Sequence, residues 1–225
     1  MFSINPLIYK NLVMTGGALG EIPKGPSGAV RAWDVRTGKL VWTFDAVPKK
    51  GEPGYDTWAP GSTENRAGVN VWGLMNFDAE RGIAYLPIGA PSSDRYGGDR
   101  HGTNLFSGSL VAVNAATGKY LWHFQLVRHD IWDFDSATPV VLFDVAFEGI
   151  SRKAIASFNK TGWMYLLDRV TGAAVACVSG RPRNHRRALV KRAQDIVLGA
   201  LLLAAFALPM LVIAAAIKLD SRGPV

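Results

Sequence analysis

The 225 residues, 48% of them apolar, are enough for one or two domains with a sizeable core. The formal charge of +7 is concentrated in the tail: residues 178–225 hold eight Lys/Arg against two Asp, leaving 17 basic and 16 acidic residues for positions 1–177. That near-neutral stretch excludes a broad nucleic-acid surface, and a single cysteine, Cys177, excludes an internal disulfide.

Without a C-x-x-C-H motif there is no covalent haem site. The opening "MFSINPLIYKNLVMTGG" lacks a basic segment followed by a long apolar one, so it encodes no export signal. The expectation is either a cytosolic chain or one whose true beginning lies elsewhere.

Internal repeats organise the first part. "VRAWDVRTGKLVWTF" from Val30 and "LVAVNAATGKYLWHF" from Leu110 align without gaps, and "MYLLDRVTGAAV" from Met164 is a weaker third copy. Each copy has alternating apolar residues, an Asp or Asn, a Thr-Gly turn and a second strand, the pattern of a β-hairpin. "FDAERGIAYLPIG", Phe77 to Gly89, predicts another. Residues 1–177 are therefore predicted to be all-β.

Hairpins ending in Trp42 and Trp122 point to radially repeated four-stranded sheets, a β-propeller, more than to a sandwich. Each tryptophan is either an ordinary core residue or a ring packed flat on the neighbouring sheet. At roughly 40–50 residues per blade, the stretch holds at most four blades. It reads as a partial propeller with open edges.

After the strand "KYLWHFQLV" comes "RHDIWDFD", Arg128 to Asp135, with three carboxylates in eight residues. On these residues alone, Asp130 and Asp133 bond turn amides. Alternation puts Asp133 and Asp135 on one strand face and turns Trp132 and Phe134 the other way, into packing.

"SGAVRAWDVRTGKLVWTFD", "NVWGLMNFDAERGIAYLPIGAPSSDRYGGDRHG", "GSLVAVNAATGKYLWHFQLVRHDIWDFD" and "KTGWMYLLDRVTG" together resemble consecutive blades of a quinoprotein dehydrogenase using pyrroloquinoline quinone (PQQ). The glucose dehydrogenase type is the nearest, and the resemblance covers about residues 5–175. It implies three to four blades of an eight-bladed propeller whose family oxidises an alcohol or an aldose hydroxyl and passes electrons to membrane quinone or another carrier.

The resemblance also implies roles. Asp133 would be the general base that removes the substrate's hydroxyl proton, and Lys160 the cation that bonds the reactive quinone oxygen. Trp72, in "NVWG", would stack on the planar cofactor. Ser92 would supply a hydroxyl near cofactor or metal. A calcium or similar divalent ion is implied, with Glu21, Asp133 and Asp135 as carboxylate ligands. Asp130 and His129 are either structural or supports behind the residues that touch the cofactor. Ala90 stands where some alcohol-oxidising relatives carry Asn, which favours the sugar-oxidising branch.

The pattern then breaks. Residues 178–190 form a basic junction, and "RPRNHRRALVKR" places six Lys/Arg within Arg181 to Arg192. Ile196 to Ile217 is a run of 22 residues without a charge, long enough for a bilayer helix, with Pro209 favouring a kink near its middle. The basic run reads as a cytoplasmic membrane flank; nucleic-acid binding is the lesser reading, because aromatic interleaving is absent.

"KRAQDIVLGALLLAAFALPMLVIAAAIKLDSRGPV" is similar to the opening of bacterial sugar transferases, the polyprenyl-phosphate sugar phosphotransferases, over residues 188–225. The matching residues are Lys191, Arg192, Asp195, Pro209, Lys218, Ser221, Gly223 and Pro224. The expected domains are thus 1–177, a partial propeller, 178–190, a junction, and 191–225, a helix in the bacterial inner membrane. The first implies the periplasm and the basic flank implies the cytoplasm, as in a fusion of two incomplete modules. Three functions follow: a partial PQQ-dependent sugar or alcohol dehydrogenase, inactive as given; a truncated membrane transferase; or a non-catalytic, membrane-tethered propeller module.

Overall fold

The computed structural model describes residues 5–18, 20, 22–179 and 185–220. The chain divides into two compact units, Met1–Gly180 and Arg181–Val225.

Among the described residues, the first unit is all-β apart from one 3₁₀ turn, Tyr55–Thr57. Twelve strands form three antiparallel four-stranded sheets, each in simple sequential order. Strands β1 (Leu7–Tyr9), β2 (Leu12–Thr15), β3 (Val30–Asp34) and β4 (Leu40–Phe44) make the first sheet. The second contains β5 (Asn76–Asp78), β6 (Ile83–Pro87), β7 (Ser109–Asn114) and β8 (Tyr120–Gln125). The third contains β9 (Val141–Phe147), β10 (Ile150–Phe158), β11 (Trp163–Asp168) and β12 (Ala174–Ser179). The partial propeller read from the repeats is thus present as three sheets among the described residues.

The repeated hairpin has one chemistry in all three sheets. Asp34, Asn114 and Asp168 each use Oδ1 to accept two turn amides and a threonine hydroxyl, those of Thr37, Thr117 and Thr171. The next residue, Gly38, Gly118 or Gly172, takes φ of 68°, 70° or 73° and donates its N–H back to the Asp or Asn carbonyl at 2.8 Å. That left-handed geometry is why the motif ends in glycine.

The sheets meet through these turns. A Cβ on Gly118 would lie 2.6 Å from the Trp42 ring, and one on Gly172 would lie 2.5 Å from the Trp122 ring. Each tryptophan of one sheet therefore lies against the turn of the next, and both indoles are buried. Trp42 Nε1 donates to the Ala115 carbonyl at 3.2 Å. At the second interface the equivalent carbonyl, that of Arg169, accepts the Tyr85 hydroxyl instead, and Trp122 Nε1 has no partner among the described residues. In β12 the corresponding position is Ala176.

The second sheet is buried on both faces, so β6 is buried along its whole length. Ala84, Leu86, Val111 and Val113 join Met14, Val30, Trp42 and Phe44 in one core layer. The alternate residues Ile83, Tyr85, Leu110 and Ala112 join Trp122, Ile155 and Leu167 in the other. This period of two along β6 and β7 is the sheet's own alternation read twice.

The second unit contains α1, His185–Asp220, one continuous helix through Pro209. Its Arg192–Asp220 stretch is long and apolar enough to cross a membrane. At 1.5 Å per residue it is roughly 43 Å long, against about 30 Å of hydrocarbon.

Candidate active site

Strand direction gathers the site. Ala18 follows β2, Trp72 precedes β5, Ala90 and Ser92 follow β6, Asp133 and Asp135 lie between β8 and β9, and Lys160 follows β10. In antiparallel sheets of sequential order, these positions all fall at one end, opposite the Asp-Thr-Gly turns. They line a cavity of about 310 Å³ together with Gly68, Asn70 and Asp94.

At its centre, Lys160 Nζ lies 2.9 Å from Asp133 Oδ1 and 2.9 Å from Asp135 Oδ2. The same nitrogen is 5.9 Å from the centroid of the Trp72 ring, within cation–π range. Asp135 Oδ1 accepts the Ala90 N–H at 2.7 Å. Arg95, a largely exposed side chain, approaches Asp133 Oδ2 at 3.9 Å.

Two glycines permit this convergence. A Cβ on Gly89 would lie 2.7 Å from Asp135 Oδ1 and 3.0 Å from Trp72 Nε1. A Cβ on Gly73 would collide with the Ala137 carbonyl at 1.6 Å. The Trp72, Ala90 and Asp135 segments can touch only because these positions lack side chains.

The two aspartates are driven apart. Burial pushes the Asp135 carboxyl above the ordinary carboxylate value, outweighing the Ala90 amide and the Lys160 ammonium. Burial also raises Asp133, but hydrogen bonds from Lys160 and Asp135 and the charges of Lys160 and Arg95 prevail, and its carboxyl stays below the ordinary value. Burial lowers the Lys160 ammonium, whereas hydrogen bonds to Asp135 and Asp133 hold it above its usual value. The arrangement keeps Asp133 ionised beside a fixed cation, the state a proton acceptor needs.

Two expectations for this loop are corrected. Residues 130–135 form no strand, so strand alternation does not place the carboxylates. Asp133 adopts φ 61°, and this left-handed residue lets both carboxylates reach Lys160. Trp132 is 61% exposed rather than packed, and its ring stacks on that of Phe134 with centroids 6.1 Å apart.

Of the residues named from sequence, Asp133, Asp135, Lys160, Trp72 and Ser92 line one cavity. Glu21 lies outside the described residues. Sequence reading passed over Gly68, Asn70, Asp94 and Arg95. Asn70, two residues before Trp72 in "NVW", could have been found by the period of two. It also passed over Arg66, whose buried guanidinium bonds the Ser62 carbonyl at 2.9 Å and the Ser92 carbonyl at 2.8 Å and pairs with Asp99 at 2.9 Å. No local pattern marks an arginine as buried.

Carboxylates of Asp94, Asp133 and Asp135, the Asn70 amide and the Ser92 hydroxyl give the cavity hard oxygen donors, which suit a calcium-like ion. Among the described residues, no three His, Cys, Asp or Glu side chains converge as a metal cage. The Trp72 face beside the Lys160 cation suits a planar, polyanionic cofactor.

Sheet repetition with a polar cavity at the strand ends defines a part of a β-propeller. The profile of the PQQ-dependent glucose/ethanol/alcohol dehydrogenase β-propeller domain matches residues 1–192. The chain is 37% identical over 181 residues to the quinate/shikimate dehydrogenase (quinone) of Acinetobacter baylyi, covering 79% of this chain and 22% of that protein. It is 38% identical over 165 residues to quinoprotein glucose dehydrogenase A of Acinetobacter calcoaceticus, covering 71% and 20%. The crystal structure of quinohemoprotein alcohol dehydrogenase from Comamonas testosteroni superposes with a TM-score of 0.73 at 30% identity, covering 80% and 29%.

The chain belongs to the PQQ-dependent glucose/ethanol/alcohol dehydrogenase family. It spans about a fifth of the length of these two curated relatives.

Proposed function

We propose that this chain supplies part of the active-site wall of a PQQ-dependent dehydrogenase acting on a sugar or alcohol. One observation carries the reading: Lys160 Nζ touches Asp133 and Asp135 at 2.9 Å each, beside the Trp72 ring, in a single cavity. When bound, PQQ supplies the two-electron acceptor for hydride.

The chain's own residues do the rest. Asp133 takes the substrate hydroxyl proton at Oδ2, the oxygen that Lys160 does not engage. Lys160 places a positive charge where negative charge develops. Trp72 offers a flat apolar face, and Ser92 a hydroxyl, on the cofactor side. Asp133, Asp135 and Glu21 are the ligands proposed for a calcium-like ion. Ala90 favours a sugar, membrane quinone is the proposed electron acceptor, and α1 is proposed to lie in the inner membrane. The likeness of residues 188–225 to a sugar transferase rests on those residues alone, and the propeller reading accounts for far more of the chain.

Titration of the full chain in detergent with PQQ and Ca²⁺, followed by tryptophan fluorescence, tests the reading. Weak binding with little dye-linked glucose oxidation is the expected result, lost in Trp72→Ala and in Lys160→Ala. Binding of unchanged strength in both variants would overturn the assignment.

A further inference from the structure

Asp130 is fully buried and lines no part of the cavity. Its Oδ1 accepts the N–H of Trp132 at 2.9 Å and its Oδ2 the N–H of Phe134 at 2.8 Å. Those amides belong to the residues on either side of Asp133. The loop is thereby closed around Asp133, which sits in the left-handed region that L residues rarely adopt.

Arg100, also fully buried, ties the loop to its surroundings. Its Nη2 donates to the Asp130 carbonyl at 2.5 Å and the Ser93 carbonyl at 3.3 Å, and its Nη1 donates to Asn104 Oδ1 at 2.8 Å. The loop carrying Asp133 and the segment carrying Ser92 are thus joined through one guanidinium.

We propose that Asp130 is a positioning residue: by accepting the amides flanking Asp133, it holds that residue in the backbone conformation that aims its carboxylate at Lys160. The proposal rests on the reading of Asp133 and Lys160 as the reacting pair. The chemistry demands a carboxylate. Two amide donors face two separate oxygens, and an asparagine offers one oxygen and an NH₂ that would meet the second amide donor to donor. An alanine leaves both amides buried without acceptors. With neither end of the turn held, Asp133 relaxes to an ordinary φ and its side chain leaves Lys160.

The test reads the Lys160 contact directly, in the full chain in detergent without cofactor. Trace acetylation followed by mass spectrometry gives the labelling rate of Lys160 relative to Lys153, which pairs independently with Asp144 at 2.6 Å. Asp133→Ala sets the scale, since losing one exposed ion pair should speed Lys160 labelling about two- to fivefold. The proposal expects Asp130→Ala to approach that increase and Asp130→Asn to fall between it and the wild type, with Lys153 unchanged.

An Asp130→Ala chain with a lowered melting temperature but a wild-type Lys160 ratio, measured well below its transition, overturns the proposal, because loop stability alone would then explain the residue. If Asp130→Ala does not fold, the isosteric Asp130→Asn carries the same comparison. If Asp133→Ala itself leaves Lys160 unchanged, the Asp133 to Lys160 contact fails, and the active-site reading falls with the proposal.

Discussion

Gly38 and Gly118 are a natural experiment in how the sheets hold together. Both close the same Asp/Asn-x-x-Thr-Gly turn, with φ of 68° and 70° and the same 2.8 Å hydrogen bond to the Asp or Asn carbonyl. They differ in what lies above them. A Cβ on Gly38 meets nothing within 4 Å, whereas one on Gly118 would lie 2.6 Å from the Trp42 ring. Alanine at either position imposes the left-handed backbone penalty of about 1–2 kcal/mol. At Gly118 the methyl must also displace a buried indole, an overpacking cost of roughly 1–3 kcal/mol.

The expected destabilisation is thus about 1–2 kcal/mol for Gly38→Ala and about 2–5 kcal/mol for Gly118→Ala, the sum of those two costs. Urea unfolding of the full chain in detergent, followed by tryptophan fluorescence, measures both. The double variant Trp42→Ala/Gly118→Ala isolates the contact. Trp42→Ala alone should cost about 3–5 kcal/mol, and the glycine substitution in that background should revert to the Gly38 value. Equal losses at the two glycines, or additivity with Trp42→Ala, would show that the ring does not bear on the turn and that the sheets are not docked through it.

Other outcomes follow from the site and the tail. Arg66→Ala should destabilise the first unit by about 3 kcal/mol, because it leaves the buried Ser62 and Ser92 carbonyls without their donor, and a calorimetric melt would register it. Asp133 has a folded pKa below its ordinary 3.8, so its share of stability is present above that value and is lost as pH falls through the lower, folded one. Lys160→Met should raise the Asp133 midpoint in a carboxylate NMR titration and shift that acid loss to higher pH. Asp135, with its raised pKa, has the opposite sign: its contribution is full in acid and declines as pH rises through the folded value. If α1 lies in a bilayer, the full chain should stay with lipid vesicles through an alkaline carbonate wash, whereas a chain ending at Gly180 should be released.

What the sequence disclosed and what it withheld have physical causes. The hairpins were readable because Asp34, Asn114 and Asp168 cap their turns with neighbours two and three residues away, so the motif is local. Trp42 and Trp122 could be assigned to a strand end but not to a partner, since the glycines they cover lie 76 and 50 positions later, at Gly118 and Gly172. Asp133 and Lys160 were paired only through family resemblance; nothing in 27 residues of separation dictates a 2.9 Å contact. The loop at 130–135 misled simple alternation because its shape is set by a buried carboxylate and a buried arginine, neither of which leaves a periodic trace.

The same cause explains how the site is built. Regular strands deliver segments to one end of the sheets, but strand geometry alone would point Asp133 and its neighbours alternately up and down. The two carboxylates here converge on one ammonium from a loop outside any strand, and such a backbone has amides that no ladder satisfies. Asp130 accepts two of them, and Arg66 and Arg100 bind carbonyls of the adjoining segment. The buried polar residues beneath the cavity are therefore the counterpart of the polar ones that line it: they fix a conformation that neither propensity nor hydrophobic packing would select. It follows that variants of this buried layer should disturb the cavity as well as stability, because Arg66, Arg100 and Asp130 hold the backbone of the segments that line it.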